Sequence, residues 1–263
     1  MSHQSAEDFY DGLAAEYHLI FADWWTSAQW HGQFISTLLS SVGVRPGAQV
    51  LDCTCGIGTQ ALPLAKLGYA MTGTDLSRSS IDRAKSEAES REIPITLSVA
   101  DVRRLPGQFT EGFDAVISCD NALPHLLNDS DLIDALTAIH RSLRASGLFL
   151  ATIRDYDALR SERSAGIPPS ILGAHGSRHG YAQAWHWSDD MSLVDISLFL
   201  LSETSSGWSV SVHETTYRAL LRADLDAALL HSGFTESRWL MPDATGFYQP
   251  IVIARGNPQW APR

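Results

Sequence analysis

The chain of 263 residues is long enough for one sizeable α/β domain with an added element, and its 44% of apolar residues suffice for an ordinary core. Nineteen Lys and Arg against thirty Asp and Glu give a net charge of −11, and no basic patch interrupts this excess of acid. We therefore expect neither nucleic acid nor an anionic membrane surface as a partner. No apolar run reaches the roughly 18 residues of a membrane span, and residues 1–8 lack the features of a secretory signal.

The chain has three cysteines, an odd number that offers no disulfide framework. Cys53 and Cys55 lie close together without a matching Cys or His pair elsewhere, so we predict no metal site. With no secretory signal, membrane span or disulfide pattern in the sequence, the expected location is cytoplasmic.

Apolar side chains recur at helical spacing between residues 8 and 42, which predicts a helical N-terminal segment over residues 1–44. Tyr10 and Tyr17 belong to this apolar stripe. Pro46-Gly47 then breaks the chain before the first strand.

The segment from Val50 to Thr59 predicts a ligand pocket. An apolar strand ends at Asp52 and enters a tight turn built on Gly56 and Gly58, after which residues 60–67 are predicted as a helix. Glycine permits positive φ in the turn and lets a ligand lie against the backbone, while the first helical turn offers free N–H groups. This pattern is typical of a nucleotide-type pocket at the carboxyl end of a parallel strand.

Two further acids extend this pocket. A second predicted strand, residues 69–75, ends at Asp75, about 20 residues after the turn, where an acid accepts hydrogen bonds from ribose hydroxyls. A third strand, residues 95–99, is followed by Asp101, whose carboxylate could reach an adenine amino group. An acid at the end of each of three successive strands is a specific signal for a ligand that contains adenosine.

Two classes of ligand fit this pattern. Gly56, Gly58 and Ala61 satisfy the loose nicotinamide and flavin fingerprint, so a dehydrogenase is an alternative. Asp52 disfavours it, because a carboxylate aimed into the turn would repel a pyrophosphate. S-adenosylmethionine carries an ammonium and a sulfonium instead, which a carboxylate attracts. The residues therefore favour a methyl donor.

Strands and helices alternate through residues 45–160, the predicted cofactor-binding core. The further predicted elements are a helix from Leu76 to Arg91, strands at 113–118 and 148–153, and a helix at 129–143. Such alternation implies an α/β, Rossmann-like, doubly wound and mostly parallel sheet.

The pattern changes after the fifth strand. Short loops join extended segments at 181–187, 193–201 and 208–216, which predicts a small antiparallel β insert over about residues 175–216. Residues 217–263 are predicted to complete a seven-stranded sheet, with a helix at 220–232 and strands at 234–240 and 247–254. The whole chain, residues 1–263, is predicted to be a single domain.

With this strand order the chain resembles the class I S-adenosylmethionine-dependent methyltransferases over most of its length, and within them the glycine/sarcosine N-methyltransferase group. Besides the glycine turn, the resemblance rests on residues 10–24, Cys119 to Leu126, Ile153 to Asp157, and Gly246 to Pro250. One departure lies in the turn, where the family usually has glycine and this chain has Thr54, a β-branched residue that restricts the backbone.

The resemblance implies that residues 1–44 form a lid over the cofactor S-adenosylmethionine. Asp52 and Gly56 would hold its methionine part, Asp75 its ribose, and Asp101 with Val102 its adenine edge. The remaining candidate cofactor-binding residues are Thr54, Gly58, Leu76, Cys119 and Tyr17.

The same resemblance implies a small-molecule methyl acceptor beside the cofactor. In glycine methylation an arginine after the fifth strand binds the substrate carboxylate, and Arg154 matches it, since a guanidinium fork meets both carboxylate oxygens. The candidate acceptor-binding residues are Asn121, His125, Arg154, Tyr156, Trp185 and Tyr248. The candidate catalytic residues are His125, Arg154 and His18.

Each of these assignments has a structural alternative. His125 could cap the next helix, His18 could pack in a core, and Arg154 could pair with Asp155 or Asp157. The expected function is methyl transfer from S-adenosylmethionine to a small molecule, foremost the amine nitrogen of glycine, sarcosine or a related amino acid. The alternatives are N- or O-methylation of another small metabolite, for example an aromatic one, a nicotinamide-dependent oxidoreductase, and a cofactor-binding protein without turnover. A homo-oligomer is compatible with the sequence.

Overall fold

The computed structural model describes residues 5–105, 112–173 and 177–256. Residues 1–4, 106–111, 174–176 and 257–263, which belong to the predicted lid, core, insert and C-terminal segment, lie outside the described residues.

Two helices and a 3-10 turn precede the first strand: α1 (Ala6–Leu13), the 3-10 turn (Tyr17–Ile20) and α2 (Trp24–Ser41). Side chains cap both helices, because Ser5 accepts a hydrogen bond from the Asp8 N–H and Asp23 accepts one from the Thr26 N–H. The predicted helical segment is therefore divided, and α1 can pack separately from α2.

The next elements alternate as predicted: β1 (Gln49–Asp52), α3 (Ala61–Lys66), β2 (Ala70–Asp75), α4 (Arg78–Ser90), β3 (Thr96–Val99), β4 (Phe113–Ser118), α5 (Asp129–Ser142) and β5 (Leu143–Thr152). β5 begins at Leu143 rather than at the predicted Leu148. Gly147 is the reason for this difference, because a Cβ there would lie 2.8 Å from the Phe113 carbonyl oxygen. The glycine marks a close approach of β5 to β4.

A second sheet follows. Helix α6 (Tyr156–Glu162) leads into four strands that form an antiparallel sheet. In order across the sheet, the strands are β6 (Gly166–Leu172), β7 (His179–Trp187), β8 (Leu193–Thr204) and β9 (Gly207–Arg218). The sequence predicted three of these strands and neither α6 nor β6. Pro168 and Pro169 lie in β6 where its register shifts, and proline is confined to edge strands and bulges because it donates no ladder hydrogen bond.

The remaining elements are α7 (Arg222–His231), β10 (Glu236–Leu240), α8 (Pro242–Thr245) and β11 (Ile251–Arg255). The large sheet has the order β10-β11-β5-β4-β1-β2-β3, in which β11 runs antiparallel to both neighbours and the other pairs are parallel. The predicted Rossmann-like, mostly parallel seven-stranded sheet with N-terminal helices and an antiparallel insert is confirmed.

Each face of the large sheet is covered by helices. Val50 packs with side chains of α2, α3 and α4, whereas its neighbour Leu51 packs with side chains of α5 and α7, and both are fully buried. Adjacent strand residues point to opposite faces, so β1 lies between two cores. Within the described ranges, none of the helices has the length and hydropathy that a membrane crossing requires.

The antiparallel insert packs one face against α1. The buried residues of β8 on this face are Val194, Ile196, Leu198 and Leu200. Strand register places residues of β7 and β9 on the same face, among them Gln183, Trp185, Thr215 and Tyr217. Phe9 and Leu13 of α1 pack on Leu198 and Leu200, so α1 lies over this inner face of the insert.

Polar contacts tie the N-terminal segment to both sheets. Asp11 accepts hydrogen bonds from the Ser77 hydroxyl at 2.6 Å and the Ser79 N–H at 3.0 Å, at the start of α4. Glu16 accepts one from the Ser211 hydroxyl of β9 at 2.7 Å. The segment thus bridges the carboxyl edge of the large sheet and the inner face of the insert.

Asp11→Asn should weaken the docking of α1, since the amide keeps the shape but loses a charge-assisted interaction worth about 1–3 kcal/mol. We expect amides of Ala6–Leu13 to exchange with deuterium at least roughly fivefold faster, as measured by mass spectrometry. Glu7→Gln is the matched control, because it removes the same charge from an exposed position of the same helix. Equal exchange in the two variants would contradict the assigned contact.

Candidate functional site

The glycine turn after β1 has the backbone conformation that the sequence predicted. Gly56 and Gly58 have φ of +52° and +94°, whereas Thr54 has no positive φ. A side chain is therefore tolerated at position 54, where its hydroxyl lies 3.0 Å from that of Ser118 at the end of β4. A Cβ on Gly56 would meet nothing within 4 Å, so its backbone is open to a ligand.

Asp75 joins the turn to the next helix. One carboxylate oxygen accepts the Gly56 N–H at 2.8 Å, and the other accepts the Ser77 N–H at 2.9 Å. Burial raises the pKa of Asp75, and these two backbone hydrogen bonds oppose the rise. Each oxygen keeps a second lone pair, with which it can accept hydrogen bonds from a pair of hydroxyls.

A cavity of about 570 Å³ opens at this edge of the sheet, which we call the donor cavity. The predicted cofactor-binding residues that line it are Tyr17, Thr54, Gly56, Asp75, Leu76, Asp101, Val102 and Cys119. Its size lies in the range of about 300–1,000 Å³ that small-molecule sites occupy.

Asp101 lies at the far end of the donor cavity and is bound by an arginine. Arg103 donates to it from the guanidinium at 2.7 Å and from the backbone N–H at 2.9 Å, and its other guanidinium nitrogen lies 3.1 Å from Asp131. Burial opposes ionisation of Asp101, but the hydrogen bonds from Arg103 prevail and lower its pKa. An adenine amino group would therefore meet an ionised carboxylate here.

Asp52 and Gly58 support the donor cavity without lining it. Asp52 is fully buried, its Oδ1 accepts the Thr54 N–H at 3.3 Å, and its Oδ2 has no hydrogen-bond partner among the described residues. Burial raises the pKa of Asp52 well above its ordinary value. A buried acid with an unsatisfied oxygen directly behind the turn fits a ligand that brings positive charge, and it does not fit a pyrophosphate.

A second cavity of about 390 Å³ adjoins the first, and we call it the acceptor cavity. Tyr10, Tyr17, Asp120 and Thr215 line both cavities and therefore mark their junction. Among the predicted acceptor-binding residues, Arg154 and Tyr248 line the acceptor cavity, whereas His125 lines the donor cavity. The predicted acceptor-binding and catalytic residues that line neither cavity are His18, Asn121, Tyr156 and Trp185.

Arg154 is held from three sides and keeps one nitrogen free. Its guanidinium lies 5.0 Å from the Trp185 ring and 5.3 Å from the Tyr217 ring, and Nη2 donates to Gln183 at 3.2 Å. Nη1 is buried without a hydrogen-bond partner in the described part of the chain. The predicted structural alternative is not observed, because Asp155 and Asp157 pair with Arg222 at 2.6 and 3.4 Å.

Asn121 and Tyr156 act behind Arg154. Asn121 accepts the Arg154 N–H at 3.0 Å and donates to the Tyr156 hydroxyl at 3.0 Å, and both side chains are buried. Trp185 donates to Gln183, the same amide that accepts from Arg154. These residues orient the arginine and do not reach the cavity themselves.

His125 is oriented at the wall of the donor cavity. Its Nε2 lies 3.0 Å from the Tyr10 hydroxyl, and its Nδ1 lies 3.4 Å from the Thr215 hydroxyl. Burial, and secondarily the charge of Arg154, lowers the pKa of His125 to about 3. The imidazole is therefore neutral at physiological pH and is a weak base.

Sequence reasoning missed Asp120. This residue has a left-handed backbone with φ of +57°, as does Asn121 with φ of +68°, so the chain is strained where the two cavities meet. Asp120 accepts hydrogen bonds from the Tyr248 hydroxyl and from Gln60 at 2.8 Å. The signal was present, because Asp120 follows β4 as Asp75 and Asp101 follow their own strands.

Comparison of the sequence with known proteins finds similar methyltransferases. Residues 50–147 match the model of a family described as a methyltransferase domain. A Bacillus subtilis protein that carries the provisional name methyltransferase YqeM is 29% identical over 198 residues, which is 73% of each chain. The glycine/sarcosine N-methyltransferase of Parasynechococcus marenigrum is 32% identical over 143 residues, 54% of this chain and 50% of that protein.

A solved structure has the same fold. It is that of CalS10 from Micromonospora echinaspora, an amino pentose methyltransferase with S-adenosylmethionine bound, and it superposes with a TM-score of 0.73. The match covers 92% of this chain and 95% of that one at 18% identity. The glycine turn and the family match thus both indicate a methyltransferase domain, and the fold agrees with that of CalS10.

Gly56→Ala should weaken binding at the donor cavity, because a methyl group would project into space that the ligand needs. We expect the Kd for S-adenosylhomocysteine, measured by calorimetry, to rise by roughly tenfold or more. Gly43→Ala is the matched control, since Gly43 also has a positive φ and open space around its Cβ but lies outside both cavities. Both variants should lose about 1–2 kcal/mol of stability, so an equal loss of affinity in both would contradict the assignment.

Proposed function

We propose that this chain, which belongs to the class I S-adenosylmethionine-dependent methyltransferases, methylates the amine nitrogen of a small amino acid. The methyl donor is S-adenosylmethionine, and the acceptor is a small molecule. Glycine, sarcosine or a related amino acid is the proposed acceptor, and the glycine/sarcosine N-methyltransferase among the relatives supports it.

The donor cavity fits S-adenosylmethionine by its own chemistry. Asp75 can accept from both ribose hydroxyls, Asp101 can accept from the adenine amino group, and the open backbone at Gly56 can receive the methionine part. Burial raises the pKa of Asp52 without a ligand, and a positively charged donor would lower it again, so that the ionised carboxylate attracts the donor from behind the turn. The same carboxyl group disfavours the alternative of a nicotinamide-dependent oxidoreductase.

Arg154 carries the proposal for the acceptor. Its Nη1 is buried at the cavity wall without a hydrogen-bond partner, which lowers the stability of the fold unless a bound anion accepts its hydrogen bond. A substrate carboxylate is the group whose two oxygens match this fork. Trp185, Tyr217 and Gln183 fix the fork before the substrate arrives.

The reaction needs little more than alignment. The amine lone pair forms the N–C bond while the C–S bond breaks, so the positive charge passes from sulfur to nitrogen. Positioning alone can supply about 7–11 kcal/mol of the barrier reduction. An amine that binds as an ammonium must lose its proton to solvent before it attacks, and a site closed from water then favours the neutral form.

His125 takes a positioning role in this proposal. Its pKa of about 3 makes it too weak a base to hold a proton taken from an ammonium. Its bond to Tyr10 instead fixes the aromatic ring at the junction of the two cavities. His18 lines neither cavity and takes no part.

The experiment that tests this function follows S-adenosylhomocysteine release across small amines, amino acids and acids, first in the wild-type protein and then in Arg154→Ala. Loss of the charge pair should cost about 2 kcal/mol or more of acceptor binding, so the KM for an amino acid should rise roughly 30-fold or more. The Kd for S-adenosylhomocysteine should stay nearly unchanged, because Arg154 does not line the donor cavity.

Arg154→Lys is the matched control, since it keeps the charge and removes the fork. It should recover only part of the lost affinity. Equal weakening of donor and acceptor binding in Arg154→Ala would mean that the arginine is structural. Turnover only with amines that lack a carboxylate would contradict the proposed acceptor.

A further inference from the structure

The acceptor cavity is larger than the smallest amino acids require. Its volume of about 390 Å³ lies in the range that accommodates drug-sized ligands, whereas glycine and sarcosine would fill a small part of it. The residues that line it without lining the donor cavity include polar side chains such as His31 and Gln249, and an apolar wall formed by Phe9, Phe21, Ile167, Ile196, Leu198 and Tyr181. This apolar wall offers a favourable environment to an apolar group.

Two opposite charges face this cavity without pairing with each other. Asp120 and Arg154 both line it, and the ion pairs of the described residues do not include one between them. Asp120 is held by the neutral donors Tyr248 and Gln60, and Arg154 by the neutral acceptor Gln183. Each charge therefore stays available to a ligand group of opposite sign.

The positions of these two charges determine how a zwitterionic ligand would be oriented in the site. Asp120 lines both cavities, so it lies at the junction across which a methyl group passes. Arg154 lines the acceptor cavity alone. A zwitterion bound between them would have its amine beside the donor and its carboxylate away from it.

We propose that the acceptor is an amino acid with an apolar side chain larger than that of glycine, bound through its amine to Asp120 and through its carboxylate to Arg154. The apolar wall formed by α1, the 3-10 turn and the insert receives the side chain. This inference rests on the proposed function and narrows its substrate class. It makes Asp120 an acceptor-binding residue of the methyl-transfer site.

The test titrates glycine and three phenyl ligands that differ only in their charges into the protein saturated with S-adenosylhomocysteine. L-phenylalanine carries both charges, 3-phenylpropionate lacks the amine, and 2-phenylethylamine lacks the carboxylate. We expect L-phenylalanine to bind at least roughly tenfold more tightly than either analogue, since each charged contact contributes about a tenfold factor. It should also bind at least roughly tenfold more tightly than glycine, because its phenyl ring is buried against the apolar wall. Glycine binding as tightly as L-phenylalanine would overturn the inference.

Two variants test whether Asp120 binds the amine and Arg154 binds the carboxylate of the ligand. Asp120→Asn should weaken L-phenylalanine and 2-phenylethylamine by roughly tenfold or more and leave 3-phenylpropionate within about twofold. Arg154→Ala should show the reverse pattern between the two analogues. The unaffected analogue in each variant reports that the site is still folded, and loss of all three ligands in Asp120→Asn would overturn the role of Asp120.

A space-filling variant tests the apolar wall separately. Ile167→Phe, on the edge strand β6, should weaken L-phenylalanine and spare glycine, because it occupies the volume assigned to the side chain. Equal effects on both amino acids would overturn the assigned wall. Methylation of glycine or sarcosine alone would reject this inference and keep the proposed function, whereas methylation of an amino sugar alone would reject both.

Discussion

The carboxylate of Asp75 is the contact on which the site depends. It accepts the Gly56 N–H of the turn after β1 and the Ser77 N–H at the start of α4, and Ser77 in turn donates to Asp11 of α1. Three segments that are distant in sequence are thereby fixed around one half-buried acid. Because hydrogen bonds to a charged group are strong where water is partly excluded, this arrangement sets the shape of the donor cavity before a ligand binds.

The acceptor cavity differs from the donor cavity because two opposite charges at its wall, Arg154 and Asp120, do not pair with each other. Arg154 is enclosed by two aromatic rings and a neutral amide, and the acids nearest to it in sequence are occupied by Arg222. Asp120 is likewise held by neutral partners. Burial without a paired charge lowers the stability of the fold, so such groups are typical of binding sites and rare in cores. The strained backbone at Asp120 and Asn121 agrees with this interpretation.

The structure brings together at the donor cavity most of the residues that the sequence predicted for it, because their signals are local. The strand before Asp52, the positive-φ glycines and the acid at Asp75 lie within one βαβ unit, where spacing alone determines proximity. Thr54 shows the limit of family patterns, since the structure requires glycine only at the two positions with positive φ. The seven-stranded sheet followed from the alternation of strands and helices.

The acceptor half could be predicted only in part, because it is built from residues far apart in sequence. Tyr248 binds Asp120 from a segment 128 residues away. The strand β6, which contributes to the apolar wall, was not predicted because Pro168 and Pro169 are unusual in a strand. Trp185 and Tyr156 were predicted to bind the acceptor, but strand register and helix packing place them behind Arg154. No periodicity in the sequence reports which side of a neighbour a buried side chain will occupy.

The central claim is that acids at the carboxyl edge of the sheet select S-adenosylmethionine over a dinucleotide. Calorimetric titration of the wild-type protein and of Asp52→Ala with S-adenosylmethionine, and in parallel with NAD, tests it most directly. The account predicts saturable binding of S-adenosylmethionine by the wild type, loss of that binding in Asp52→Ala, and no binding of NAD by the wild type. Absence of S-adenosylmethionine binding by the wild type, or binding of NAD that Asp52→Ala preserves or improves, would contradict it.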